Sequence, residues 1–289
     1  MIEARIKTKI PQAELEEKKG KILTGTDLNL VLTGPSRIFR PDGKPLCVYL
    51  PGALKQTSPD VYPILTAIRM KSDNRGLASG TKRINAGGTR TRAMPVLSGV
   101  LGAIDPTPRR PYCRLNAYSR EHLDQWHALF PLLQKMSSHF EEFVPDRHAN
   151  QARQIARTPM EWYVPGTVFT TITVNNTYST GVHIDGGDLD EGFSCLAVFR
   201  RGNYTGGLLT FPEYRVGVDM RDGDLILMDA HQWHGNTAIF CSCGHQLKEG
   251  PCDECDAERI SVVAYYRTKM AECASKAQED AKMHAIAER

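Results

Sequence analysis

His183 and Asp185 are separated by a single residue in Gly181-Val182-His183-Ile184-Asp185. On an extended segment that spacing points both side chains to one face, so an imidazole and a carboxylate can meet the same metal ion. Further along, Asp224-Leu225-Ile226-Leu227-Met228-Asp229 leads as an apolar strand into Ala230-His231-Gln232-Trp233-His234-Gly235-Asn236, which offers a second imidazole. His231 and His234 compete for the role. His234 is the better choice, because the Gly235-Asn236 turn leaves room beside a metal while His231 lies closer to the strand. Two imidazoles and one carboxylate on one face suit ferrous iron with three positions open for a cosubstrate and dioxygen.

A cation for that cosubstrate follows in Arg259-Ile260-Ser261, at the head of a strand running to Arg267. Alternation puts Arg259 and Ser261 on the same face, where a planar guanidinium and a hydroxyl can grip a carboxylate. The carboxylate expected there is the far end of 2-oxoglutarate. The competing reading is a surface arginine paired with Glu258.

Between His234 and Arg259 stand Cys241-Ser242-Cys243-Gly244-His245 and Cys252-Asp253-Glu254-Cys255. Cys241, Cys243, Cys252 and Cys255 form a thiolate set suited to a closed, tetrahedral, structural zinc, with His245 able to replace Cys241. Such a site stiffens a loop and leaves no position open for catalysis.

These residues need a scaffold that brings separated strands together. Val168 to Val174, Ser194 to Arg200, Gly207 to Phe211, Val216 to Asp219, Leu225 to Asp229 and Ile260 to Tyr266 read as short strands between glycine or proline turns. Spaced in this way they predict an antiparallel jelly roll, whose open end holds ligands. A helix is expected to start near Ser119 as N-cap, with Leu123, Trp126, Phe130, Leu133, Met136, Phe140 and Phe143 as an apolar stripe and a kink at Pro131. Before it, Ala13 to Gly20 and Asp60 to Met70 read as short helices, and Leu28 to Leu32 and Leu46 to Leu50 as apolar stretches among prolines. The expected organisation is an N-terminal elaboration over 1–110 and a catalytic core over 111–289, carrying the cysteine insert at 241–255.

The formal charge of +3 over 289 residues excludes a general polycation. The charge is uneven, however. From Arg69 to Arg120 the chain holds eleven Lys or Arg against Asp73 and Asp105, an excess of nine, interleaved with glycines. That balance suits a surface meeting phosphates. The apolar end of this stretch, Met94 to Ile104, is expected in the core, with a wedge into a base stack as the alternative. Met1 to Ile10 lacks the apolar run of a signal peptide, and no stretch approaches a membrane span. A soluble, intracellular monomer is expected, in a reducing compartment that keeps metal-binding thiols free.

His183-x-Asp185, His234-Gly235 and Arg259-x-Ser261 together resemble the 2-oxoglutarate- and Fe(II)-dependent dioxygenases. Thr173-Val174-Asn175-Asn176, His183-Ile184-Asp185-Gly186-Gly187-Asp188 and Gly202-Asn203-Tyr204-Thr205-Gly206-Gly207-Leu208-Leu209 are similar to their TET/JBP branch, over residues 110 to 270. The resemblance implies a mainly β fold with flanking helices, a double-stranded β-helix (jelly roll, cupin-like), that oxidises the C5-methyl group of 5-methylcytosine or thymine in DNA. Fe(II), 2-oxoglutarate and dioxygen are the implied cofactor and cosubstrates. It further implies Arg114 and Asn175 as cosubstrate contacts, and Asp188, Tyr265 and Arg267 as a pocket for a flipped or single-stranded pyrimidine, since a base within a duplex cannot reach a barrel interior. An ionised Asp188 would accept from the cytosine N4 amine and oppose the thymine O4, which favours 5-methylcytosine and leaves thymine as the alternative. The cysteine insert departs from the family, whose members often join His234 and Arg259 by a shorter loop.

Overall fold

In the computed structural model the described residues are 1–72 apart from Thr8, the backbone of 85–86 and 89–90, and 96–288 apart from Glu249. The run that heads with Arg259 becomes a strand, Glu258–Tyr265, at the middle of the largest sheet. It pairs antiparallel with Ser194–Arg201 on one side and Thr171–Asn176 on the other. Beyond Ser194–Arg201 the sheet continues through Asp224–Met228, Pro45–Leu50, Ser36–Phe39 and Ile2–Arg5; beyond Thr171–Asn176 it continues through Val96–Ile104. A second sheet, in the order Gly235–Asn236, Leu209–Phe211, Val216–Val218 and Leu30–Leu32, faces it.

The two faces of the central strand explain its composition. Ile260, Val262 and Ala264 share one apolar cluster with Leu133, Met136 and Phe140 of the helix Phe130–Phe143. Val263 points the other way, against Leu196, Val198, Leu209 and Ile226 between the sheets. By alternation Arg259, Ser261 and Tyr265 share that inner face.

Strands from the first 110 residues are hydrogen-bonded into both sheets: Pro45–Leu50 to Asp224–Met228, Val96–Ile104 to Thr171–Asn176, and Leu30–Leu32 to Val216–Val218. Val96–Ile104 is therefore core strand, and the wedge alternative falls. The expected basic positions Arg75, Lys82, Arg83 and Arg92 lie outside the described residues.

Four local expectations are corrected. Asn116, not Ser119, caps the helix Ala117–Glu121, its Oδ1 accepting from the Tyr118 amide at 2.8 Å. The Ser119 hydroxyl instead accepts from the Gly102 amide at 2.8 Å, a contact across the fold. Pro131 does not kink a long helix. It sits in the first turn of Phe130–Phe143, where its missing N–H has no partner to lose, and a separate helix, Leu123–Ala128, precedes it. Leu123 leaves the apolar stripe, being 45% exposed. Lastly, Cys113 and Cys273 are joined in a disulfide, against the expectation of free thiols.

Candidate active site

His183 and His234 face each other across a two-residue antiparallel bridge, with reciprocal backbone hydrogen bonds of 2.8 and 2.9 Å. Gly235 permits this approach, since a Cβ there would meet Thr180 and Val182 backbone atoms at 3.1 Å. Each imidazole is oriented by its own strand: Nδ1 of His183 lies 2.8 Å from the Gly181 carbonyl, and Nδ1 of His234 lies 2.9 Å from the Gln232 carbonyl. With the proton on Nδ1, both Nε2 atoms face outward as acceptors. They turn toward the Asp185 carboxylate, at 3.4 Å from His183 and 3.6 Å from His234. One donor atom from each of the three residues lies within 4.8 Å of the others. Burial, and then the neighbouring His183, hold the His234 imidazolium down at about 4, so the ring is a neutral ligand at ordinary pH. The donor set fits ferrous iron.

His231 is not part of this cluster. Its Nε2 pairs with Asp190 at 3.1 Å and its Nδ1 with Asp229 at 3.5 Å, and it lines a polar cavity of about 570 Å³ with Arg40 and Arg147. The hydrogen bond to Asp229 pushes its pKa up, which suits an ion-paired cation better than a metal ligand.

Arg259 is buried, and its Nε and Nη2 have no hydrogen-bond partner among the described residues. Glu258 is not its counter-ion; that carboxylate is held by Tyr62 and, at 2.7 Å, by the Asn176 amide. Unpaired buried donors on a cation are costly, so the site is built for an anion. Ser261 lies on the same face, Asn175 is its cross-strand partner and donates to its hydroxyl at 3.4 Å, and Ser98 donates to Asn175 Oδ1 at 2.6 Å. Arg259, Ser261 and Asn175 thus come together. Arg114 does not join them. It sits beside Ile104, six residues along the strand from Ser98, or about 20 Å, and donates to the Tyr112 carbonyl at 3.2 Å.

The expected base-pocket residues gather at the other end of the central strand. Tyr265 is buried on the inner face, its hydroxyl 3.3 Å from Thr173 Oγ1. The main chains of Asp188 and Arg267 form a bridge. The Ser194 hydroxyl donates to the Asp188 carboxylate, and burial, then the Asp185 charge, raise the Asp188 pKa to about 7. Arg267 differs from expectation. Its guanidinium is not held ready at a rim but bound to Asp105, with Nε at 2.8 Å and Nη2 at 2.5 Å.

Cys241, Cys243, Cys252 and Cys255 present their sulfurs within 4.8 Å of one another. His245 stands aside, exposed, with Nδ1 3.8 Å from Glu254, so the alternative ligand set with His245 for Cys241 is set aside. The Ala257 amide, aimed at Cys255, lowers that thiol to about 6.

Residues 105–268 match the Tet_JBP family model, described as the oxygenase domain of the 2OGFeDO superfamily. The chain belongs to the Tet_JBP family. Thymine dioxygenase JBP1 of Leishmania braziliensis is 33% identical over 184 residues, covering 63% of this chain and 21% of that protein. Thymine dioxygenase JBP1 of Crithidia fasciculata matches to the same extent, 33% over 184 residues. The Tet_JBP chain therefore spans about a fifth of the length of these relatives. Among solved structures, NgTET1 in complex with 5mC DNA shares the fold with a TM-score of 0.57 at 14% identity, covering 96% of this chain and 99% of that one.

Sequence reasoning missed Ser98, which bonds Asn175, and Asp105, which pairs with Arg267, both from far along the chain, and Ser194, which bonds Asp188 from six residues away. Gly206-Gly207 carried a legible signal. At Gly207, with φ +68°, a Cβ would lie 3.3 Å from the Arg259 side chain, so glycine there makes room for the guanidinium.

Proposed function

We propose that this chain is a 2-oxoglutarate- and Fe(II)-dependent dioxygenase acting on the C5-methyl group of a pyrimidine base in DNA, with thymine as its first substrate. The buried guanidinium of Arg259, unpaired at two nitrogens among the described residues, together with the His183, Asp185 and His234 cluster, carries the reading. Bound iron supplies oxygen activation, coupled to decarboxylation of 2-oxoglutarate to succinate. The chain's own residues do the rest. His183, Asp185 and His234 hold the ion, with the backbone carbonyls of Gly181 and Gln232 fixing both rings. Arg259 and Ser261 take the distal carboxylate of the cosubstrate, Asn175 orients the serine hydroxyl, and the apolar barrel wall keeps water away. Asp188 and Tyr265 receive an extruded base, Tyr265 by stacking and Asp188 by hydrogen bonding to the base edge.

The names of the relatives at 33% identity support thymine over the methylcytosine favoured by an ionised Asp188. 5-Methylcytosine stays as the second reading, on the acceptor face of Asp188. A structural zinc at Cys241, Cys243, Cys252 and Cys255 completes the proposal.

The test is nucleoside mass spectrometry after incubation with thymine-only DNA and with methylcytosine DNA, each with iron and 2-oxoglutarate. Hydroxymethyluracil from the first is expected, with His183→Ala and Asp185→Ala giving none. Product from methylcytosine DNA alone would reverse the substrate order, and full turnover by either variant would remove the iron assignment.

A further inference from the structure

We propose that the four-cysteine metal site positions Arg259, so that metal bound outside the barrel sets the affinity for the cosubstrate inside it. This rests on the dioxygenase reading above. The four sulfurs join two arms of a small three-stranded sheet, Tyr204–Gly206, Ile239–Cys241 and Gln246–Leu247, to the loop that enters the central strand. Cys241 is the cross-strand partner of Tyr204. Cys255 lies four residues before Arg259, and its loop is closed by hydrogen bonds from Cys252 N–H to the Ala257 carbonyl at 3.0 Å and from Asp256 N–H to the Cys252 carbonyl at 2.9 Å.

The same small sheet walls the guanidinium. A Cβ placed on Gly207 would meet Ile239 at 3.1 Å and the Arg259 side chain at 3.3 Å, which puts Ile239 and Arg259 against one spot. Arg200, the cross-strand partner of Arg259, stacks over the Tyr204 ring at 3.9 Å. The apolar content of this unit is Tyr204, Ile239, Cys241, Leu247, Cys252 and Ala257, with Cys255 packed against it. Three of those are cluster thiols. So small a core cannot hold its own shape, and a metal that crosslinks it supplies what burial does not. The Arg259 backbone is fixed separately, its N–H bound to Thr177 Oγ1 at 3.0 Å and its carbonyl to Thr177 N–H at 2.7 Å. Loss of the outer metal therefore frees the side chain without dismantling the strand or the iron ligands.

The experiment compares protein purified under reducing conditions with the same protein after metal extraction, and with Cys243→Ser. Metal content is measured by mass spectrometry. Binding of 2-oxoglutarate and of pyruvate is measured by calorimetry with Mn(II) in place of iron. Pyruvate carries the keto acid but no distal carboxylate, so it reports the inner site without Arg259. Expected is about one zinc per chain, and on its removal a loss of about tenfold in 2-oxoglutarate affinity with pyruvate binding unchanged. Restoration by added zinc in the extracted protein is expected as well. Absence of zinc from the reduced protein, or an equal fall for both ligands, overturns the inference, as does zinc loss without effect on 2-oxoglutarate. Failure of the zinc-loaded protein to bind 2-oxoglutarate at all would instead overturn the dioxygenase reading on which it stands.

Discussion

A buried guanidinium with two nitrogens unpaired among the described residues carries a desolvation cost, which an anion bound at Arg259 would offset. A charge-assisted pair in such a place contributes about 1.5–3 kcal/mol. Arg259→Ala should therefore raise the 2-oxoglutarate KM about ten- to hundredfold while kcat at saturation changes little, as expected for a contact made equally in ground and transition state. Steady-state succinate release against cosubstrate concentration reads this directly, and an unchanged KM would move the anchor to another cation. At this scale the sequence was legible wherever chemistry and spacing coincide. His183 and Asp185 needed only alternation, and His234 was preferred to His231 for a turn at Gly235-Asn236 that proves to be a short strand, where Gly235 instead permits the close bridge to His183. Arg267 was not legible in the same way. Its partner Asp105 is 162 positions away, and nothing local to either residue signals that the fold will pair them.

Phe140 belongs to the level of the element. It is fully buried, stacked near Phe169 at 6.5 Å and Phe193 at 6.4 Å, and ties the helix Phe130–Phe143 to the outer face of the large sheet. Truncating it to alanine should cost about 3–5 kcal/mol by denaturant unfolding. Cosubstrate affinity should stay near the parent value, because Arg259 and Ser261 lie on the opposite face of their strand. A midpoint that does not move would mean that the helix is not seated as described. The helix itself was readable from its apolar period, and most inner strands fell within a few residues of expectation. Its beginning was not, because the stretch expected as one helix from Ser119 breaks into Ala117–Glu121, Leu123–Ala128 and Phe130–Phe143, and the first is capped from Asn116. Asn116 won that position, and the Ser119 hydroxyl was drawn to the Gly102 amide of a neighbouring strand. Pro131 was misread for a related reason: the same proline that breaks a helix interior is favoured in a first turn.

Across the whole molecule, Cys113–Cys273 is one tie that closes the chain on itself, a bridge between positions 160 apart. It ties the segment leading into Arg114–Leu115 to the residues just before the helix Lys276–Ala287. A second tie runs in parallel. Buried Glu279 on that helix accepts from the Cys113 amide and the Ala274 amide, each at 2.9 Å. Burial pushes this carboxyl up, but the Lys282 ammonium and the two amides together outweigh it and hold the group below its ordinary range, so the junction stays closed whether or not the sulfurs are joined. No helix among the described residues is long and apolar enough to cross a membrane, so this C-terminal helix is a clamp on the fold and not a span. Cys273→Ser should lower the stability of the oxidised protein by about 2–5 kcal/mol, the range for losing a native crosslink, and leave a folded chain retained by Glu279. Thermal unfolding of both proteins with and without a thiol reductant decides it: the parent should lose several degrees on reduction, and the variant should not respond in this way. Equal melting of parent and variant under oxidising conditions would show that the two sulfurs stay apart in solution and that the Glu279 junction alone closes the chain.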